Sequence, residues 1–221
     1  MSSGPAEELI RELARDLDPV RPIPRIRTVT AGVVALWFAV AALGLAALGL
    51  RPDLSEAIIE TRGVAVVFAG LGLVGLGGVV AALALGVPGR ESLARGAAAL
   101  AILGMVVAAG VGTLLVAASP ARGLPVLLRG DLACLSLAIA VGLLPALGVV
   151  WFAGRASPYR PMIMVLAAAA GVAALGAIAA ELSCPHSDMR HLLVAHALAP
   201  AAGVLLLTLP LLVALKRMGR S

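Results

Sequence analysis

Charge is what this chain has least of. Asp, Glu, Lys and Arg make up 13% of its 221 residues, about half the share of an ordinary soluble domain, which is roughly 25%. None of them falls near the middle of a long apolar run. Ion-coupled transporters and pumps need ionisable groups at mid-depth to carry the coupling charge, so this lack argues against such a cycle. Aromatic residues are only 3%. The 17 Lys and Arg are scattered among segment ends with no stacking residues between them, which excludes a nucleic-acid surface. There is no P-loop, HExxH or nucleophile elbow, and no loop long enough for an ATP-binding motif, so an enzyme is not expected. Cysteine occurs twice, with no CxxC and no HxxxH. The first apolar segment begins near Thr28 and runs about 23 residues, too long and too far from the start for a cleavable signal, so it reads as an uncleaved anchor.

What remains is apolar. Hydrophobic residues make up 61% of the chain and the mean hydropathy is +1.06. Six runs, near 28–50, 63–85, 96–118, 131–153, 161–180 and 191–215, are each long enough to cross a hydrocarbon core about 30 Å thick. The expected fold is all-α: a six-span transmembrane helical bundle (28–215) with a short N-terminal amphipathic helix in a cytoplasmic tail (1–27) and a cytoplasmic C-terminal tail (216–221). Twelve of the 17 Lys and Arg fall on the side that receives both tails, so the positive-inside rule puts both termini in the cytoplasm. Small residues must let the helices approach, since lipid gives no hydrophobic drive between them. Gly104, Ala108 and Gly112 repeat every four residues, and Gly70, Gly72, Gly75, Gly77 and Gly78 crowd the second span. Pro145, Pro200 and Pro210 should bend the fourth and sixth spans.

The tail is the only long polar stretch. Ala6, Leu9, Ile10, Leu13 and Leu17 recur at spacings of three and four, which predicts one apolar helical face. Pro5 suits the first helical position, and Glu7 and Glu8 meet the positive end of the dipole. Pro19, Pro22 and Pro24 then stop the helix. A lone helix of this length is marginal in water, so its apolar face wants a cover: the membrane surface, the protein's own bundle, or the groove of a soluble partner.

Cys134 and Cys184 are 50 residues apart, yet the topology brings both to the outer side. In an oxidising periplasm such thiols pair, bind metal or react; as small core residues they would do none of these. All three histidines cluster nearby as His186, His191 and His196, with Asp188 and Glu181. Cys with His suits borderline ions such as zinc or copper, and His186 with Cys184 can chelate from a loop. A candidate metal set is therefore Cys134, Cys184 and His186. His191 and His196 are five apart and should not share an α-helical face, so His196 reads as a polar residue inside the bundle.

Four stretches resemble a known family. These are LIRELARDLDPVRPIP (9–24), RGDLACLSLAIAVGLLPAL (129–147), RASPYRP (155–161) and CPHSD (184–188). Together with six spans and a cytoplasmic tail, they make the chain similar to the NrsF-like membrane anti-sigma factors, negative regulators of extracytoplasmic-function (ECF) sigma factors in bacteria. The resemblance implies that the tail holds the sigma factor at the inner membrane, through Leu9, Ile10, Leu13, Leu17, Asp18, Pro19, Val20, Arg21 and Pro22. It implies that Cys134 and Cys184 sense metal or oxidative stress. His186 stands where acidic residues are expected after the Cys–Pro pair, which tilts the implied signal towards metal. No resident cofactor is expected, only a transition-metal ion as a possible signal. The expected partners are an ECF sigma factor and the lipid bilayer, with no direct nucleic-acid contact and no small-molecule substrate. The alternative reading is a small multi-pass metal-handling protein or transporter.

Overall fold

The computed structural model describes residues 4–15, 23–56, 62–119, 127–156, 158–184, 186 and 188–218. Leu17, Asp18, Pro19, Val20, Arg21 and Pro22, all assigned above to the tail's binding segment, lie outside them. Among the described residues there is no strand. Helix α1 spans Pro5–Arg15 and α2 Ile26–Leu48; α3 follows over Arg62–Leu85 and α4 over Glu91–Ala118. Helix α5 spans Leu127–Ala156 and α6 Pro161–Ser183. The short α7, Met189–His191, passes through a π-helical turn, Leu192–Ala197, into α8, Ala199–Met218. Six of these segments are long and apolar enough to cross a membrane, as the sequence led one to expect. The third extends back to Glu91, beyond the apolar run that starts at 96. Its polar first turn is helical because Glu91 sits where the dipole favours a negative charge.

Helix α6 is the centre, packed against α2, α3, α5 and α8. It reaches them by presenting almost nothing but Ala, Gly and Val. At Gly78 an added Cβ would come 2.7 Å from the Ala167 carbonyl oxygen, and at Gly171 it would come 2.8 Å from Val79 N. Between α3 and α4, a Cβ on Gly70 would sit 2.8 Å from Gly104 O. These backbones touch, as close packing of membrane helices requires. Larger side chains fill the gaps, with Phe152, Met164, Leu83 and Leu211 fully enclosed. By contrast α2 buries only Val33, Trp37 and Ala41. Trp37 donates its Nε1–H to Leu175 O on α6 at 2.9 Å.

Helix α1 lies outside this packing. Leu9, Ile10 and Leu13 are 57%, 66% and 61% exposed. The backbone N–H groups of Glu7 and Glu8 are taken by Gly4 O. Residue 26 starts α2 and residue 48 ends it, so α1 and the Leu48–Pro52 corner attach to opposite ends of one 23-residue helix, about 34 Å apart at 1.5 Å per residue.

Candidate functional site

At the Leu48–Pro52 end of the bundle, every strongly buried charged or imidazole group among the described residues gathers in one place: Arg51, Asp131, Glu181, His191 and His196. Cys134 and Cys184 lie among them. Buried groups of this kind must find partners or shed their charge, and here each has one.

Local structure sets the parts. Asp131 and Cys134 are one turn apart on α5, and so share a face. Gly130 leaves room beside them: a Cβ there would meet His186 Nε2 at 3.0 Å. Glu181 is in the last turn of α6. The chain then leaves the helix at Cys184, whose N–H still reaches Glu181 O at 3.2 Å. Asp188 restarts it as an N-cap, its carboxylate accepting from Arg190 N at 3.1 Å, the usual device for an otherwise orphaned N–H.

The two sulfurs are 3.2 Å apart. Cys184 Sγ is 3.0 Å from His191 Nε2 and 3.7 Å from His186 Nδ1. His191 Nδ1 lies 2.5 Å from Asp131 Oδ1. His196 Nε2 is 3.3 Å from His191 Nε2 and 2.9 Å from Glu181 Oε2. The other Glu181 oxygen takes Arg51 Nη1 at 2.6 Å. Arg51 also forks onto Asp53, with Nε and Nη2 donating at 2.9 and 2.7 Å.

The expectation that His191 and His196 stand apart is corrected by this geometry. Pro200 has no N–H to offer the carbonyl of His196, four residues earlier, and its ring crowds that carbonyl. The helix responds with i→i+5 bonding, seen in the 2.9 Å bond from Leu198 N to Leu193 O. A π turn stacks residues five apart, where an α turn would splay them. The proline expected to bend the sixth span thus brings its two histidines together. His196 is, as expected, enclosed in the bundle, at 0% exposed. The candidate metal set left out Arg51, Asp131, Glu181 and His191: Arg51 and Asp131 were not singled out, Glu181 was named beside the histidines without a role, and His191 was set aside.

Protons are scarce in the middle of the cluster. Asp131 faces His191 Nδ1 and the Ala177 carbonyl faces His196 Nδ1 at 3.2 Å. Both partners are acceptors, so each Nδ1 carries its ring's hydrogen in the neutral form. That leaves the Nε2 lone pairs turned towards Cys184 Sγ and Glu181 Oε2. Glu181 Oε2 is buried and accepts no aligned hydrogen bond, despite lying 2.9 Å from His196 Nε2. The Cys184 thiol is held well below its ordinary range, chiefly by its hydrogen bond with Cys134. Convergent lone pairs around a thiolate need extra protons or a cation between them.

The donor set fits a cation. The ligand atoms of Cys134, Cys184, His186 and His191 all lie within 4.8 Å of one another, as do those of Glu181, Cys184 and His196. Thiolate with imidazole is the chemistry of zinc and related ions. Asp131 behind His191 is the outer carboxylate that fixes such a ligand's tautomer. A cavity of about 570 Å³ opens beside the sulfurs, lined by Leu48, Leu50, Arg51, Ala133, Leu137 and Ser183 among others.

Fold and site together define a multi-pass helical membrane protein, with a buried thiol–imidazole–carboxylate cluster at one end and an uncovered amphipathic helix at the other. Residues 13–218 match the family described as NrsF, negative regulator of sigma F. The chain belongs to that family, one of regulators rather than enzymes, which act against a sigma factor. It matches no curated protein and no solved structure.

Proposed function

We propose that the chain is an anti-sigma factor of the bacterial inner membrane. Its N-terminal cytoplasmic segment sequesters an ECF sigma factor and releases it on a periplasmic metal or redox signal sensed at Cys134 and Cys184. The observation that carries this reading is the exposed face of Leu9, Ile10 and Leu13. These are large side chains on a helix whose residues 6–15 are all exposed. An amphipathic helix without a cover is a ligand for a groove, and the family supplies the class of partner. Leu17, Asp18, Pro19, Val20, Arg21 and Pro22 follow α1 in the sequence and complete the segment.

At the other end of α2, the sensor is the contact between the two sulfurs. A thiophilic cation would be held by Cys134, Cys184 and His191, with His186 as a further ligand. A peroxide would take two electrons from the pair, one proton from the Cys134 thiol and one from solvent, closing the 3.2 Å gap to a disulfide and leaving as water and, from an alkyl peroxide, alcohol. Either event removes the lone pair that Cys184 now offers its neighbours.

A transporter or metal carrier finds less support. Among the described residues the buried charged and imidazole groups are confined to one end, and Val67, Leu71, Val74, Ala174 and Ala177 belong to one buried apolar cluster. The test is co-purification of full-length protein from solubilised membranes. A sigma factor identified by mass spectrometry should accompany the wild type and be lost with Leu13→Asp. Retention with Leu13→Asp refutes docking through this face.

A further inference from the structure

The sulfur pair lies at one end of α2 and the tail helix at the other, so a signal must travel the length of that helix. We propose that Arg51, Glu181 and His196 form a latch that holds α2, and with it the tail, in the sigma-binding position until Cys184 changes partners. The inference rests on the function proposed above and names the route by which that site regulates the tail.

Helix α2 is loosely held. It buries three side chains along its length, and among the described residues polar ties hold it and the corner that follows it to α6 at two places. One is Trp37 to Leu175 O, in mid-span. The other is at Arg51, whose backbone N–H donates to Leu182 O at 2.9 Å and whose guanidinium takes Glu181 at 2.6 Å. Only the second touches the thiol cluster. Arg51 is 5% exposed and Glu181 4%, so this is an enclosed ion pair, in which removing one partner strands the other.

Glu181 is shared between latch and sensor. Oε1 holds Arg51; Oε2 faces His196 Nε2, which faces His191, which faces Cys184. Every step is 3.3 Å or less. Oε2 accepts no aligned hydrogen bond, so the carboxylate has a free oxygen aimed into the cluster. When a cation takes Cys184, Glu181 Oε2 and His196 Nε2, whose ligand atoms lie within 4.8 Å of one another and of that sulfur, are drawn to the same charge. A carboxylate drawn towards the cation rotates away from Arg51.

Arg51 has somewhere to go. Its Nε and Nη2 already fork onto Asp53, whose side chain is 42% exposed. Released from Glu181, the guanidinium keeps this bidentate partner and follows it towards solvent. Two discrete partners for one cation make a two-state element, which long-range coupling requires. Glu181 and Arg51 are positioning residues on this account, since neither needs to touch the signal.

The test uses full-length protein in cells, with a reporter driven by the co-purifying sigma factor. Arg51→Gln should raise the unsignalled reporter about tenfold or more, to the level of Leu13→Asp. Cys134 and Cys184 should stay reduced, labelled by maleimide without a reductant, and the membrane level should match wild type. Glu181→Gln, nearly isosteric, should do the same, and Arg51→Lys, which keeps a cation for Glu181, should restore repression. Raised reporter with unreacted thiols is not what a damaged sensor gives. A repressed and normally inducible Arg51→Gln, beside a derepressed Leu13→Asp, overturns the latch and leaves the anti-sigma reading intact. If Leu13→Asp stays repressed, the anti-sigma reading fails and the latch with it. If neither Arg51→Gln nor Glu181→Gln accumulates in the membrane, the pair serves folding and the latch is likewise overturned.

Discussion

Truncating the exposed tail helix separates binding from folding more cleanly than any other change. Leu9, Ile10 and Leu13 are 57%, 66% and 61% exposed. Complete burial of such a side chain is worth roughly 1.5–3 kcal/mol, so about three-fifths of that remains for each to gain. A groove that covers all three supplies about 3–5 kcal/mol, with about 1–2 kcal/mol from Leu13. Leu13→Ala should therefore weaken sigma-factor binding by roughly 5- to 30-fold, at 1.4 kcal/mol per tenfold. Leu13→Asp adds the desolvation of a carboxylate and should abolish binding. Helix loss is not a rival cause, since Ala is a better helix former than Leu. Loss of the bundle is not one either, because these side chains bury nothing in it. Glu8→Ala, on the opposite face, is the control and should change affinity less than about twofold. The assay is titration of purified sigma factor against full-length protein in lipid nanodiscs, with thermal stability measured alongside. A shift under twofold for Leu13→Ala, with Leu13→Asp still binding, would show that the face rests on the bilayer instead.

Asp131→Asn should weaken zinc binding to the purified protein by about 10- to 100-fold, as outer carboxylates behind a ligating histidine do; an unchanged competition titration would remove Asp131 from that role. Cys184 should react with N-ethylmaleimide at a rate that barely falls as pH drops below about 8.5, the ordinary thiol value, because its thiol is held well below that range. A tenfold fall per pH unit would contradict the geometry. Gly176→Ala should destabilise the protein by about 1–3 kcal/mol, since the new Cβ would run into the Ala138 carbonyl oxygen. Gly110→Ala meets nothing within 4 Å and should be neutral or mildly stabilising. Equal detergent-denaturation midpoints for the two would refute the packing account.

The six spans were legible because length and apolarity alone decide what can cross a bilayer, and the sulfur pair because an even number of crossings returns the chain to the same side. The tail's stripe was legible by its spacing. The cluster was not, and the reason is local. Under α geometry His191 and His196 diverge, and only the π turn reverses that. Yet the cue was present: Pro200 stands four residues after His196, where the missing N–H and the crowded carbonyl oblige the helix to change register. Arg51 and Glu181 hid for a different reason. A lone charge at a span end is ordinarily solvated, and nothing in its neighbours tells that the bundle will close over it. Distance in sequence conceals the pairing, 130 residues between them, while enclosure makes it obligatory. Sequence neighbours would have paired Arg51 with Asp53 alone, and the structure gives it Glu181 as well. The charges that look incidental in such a sequence are the ones to pair first.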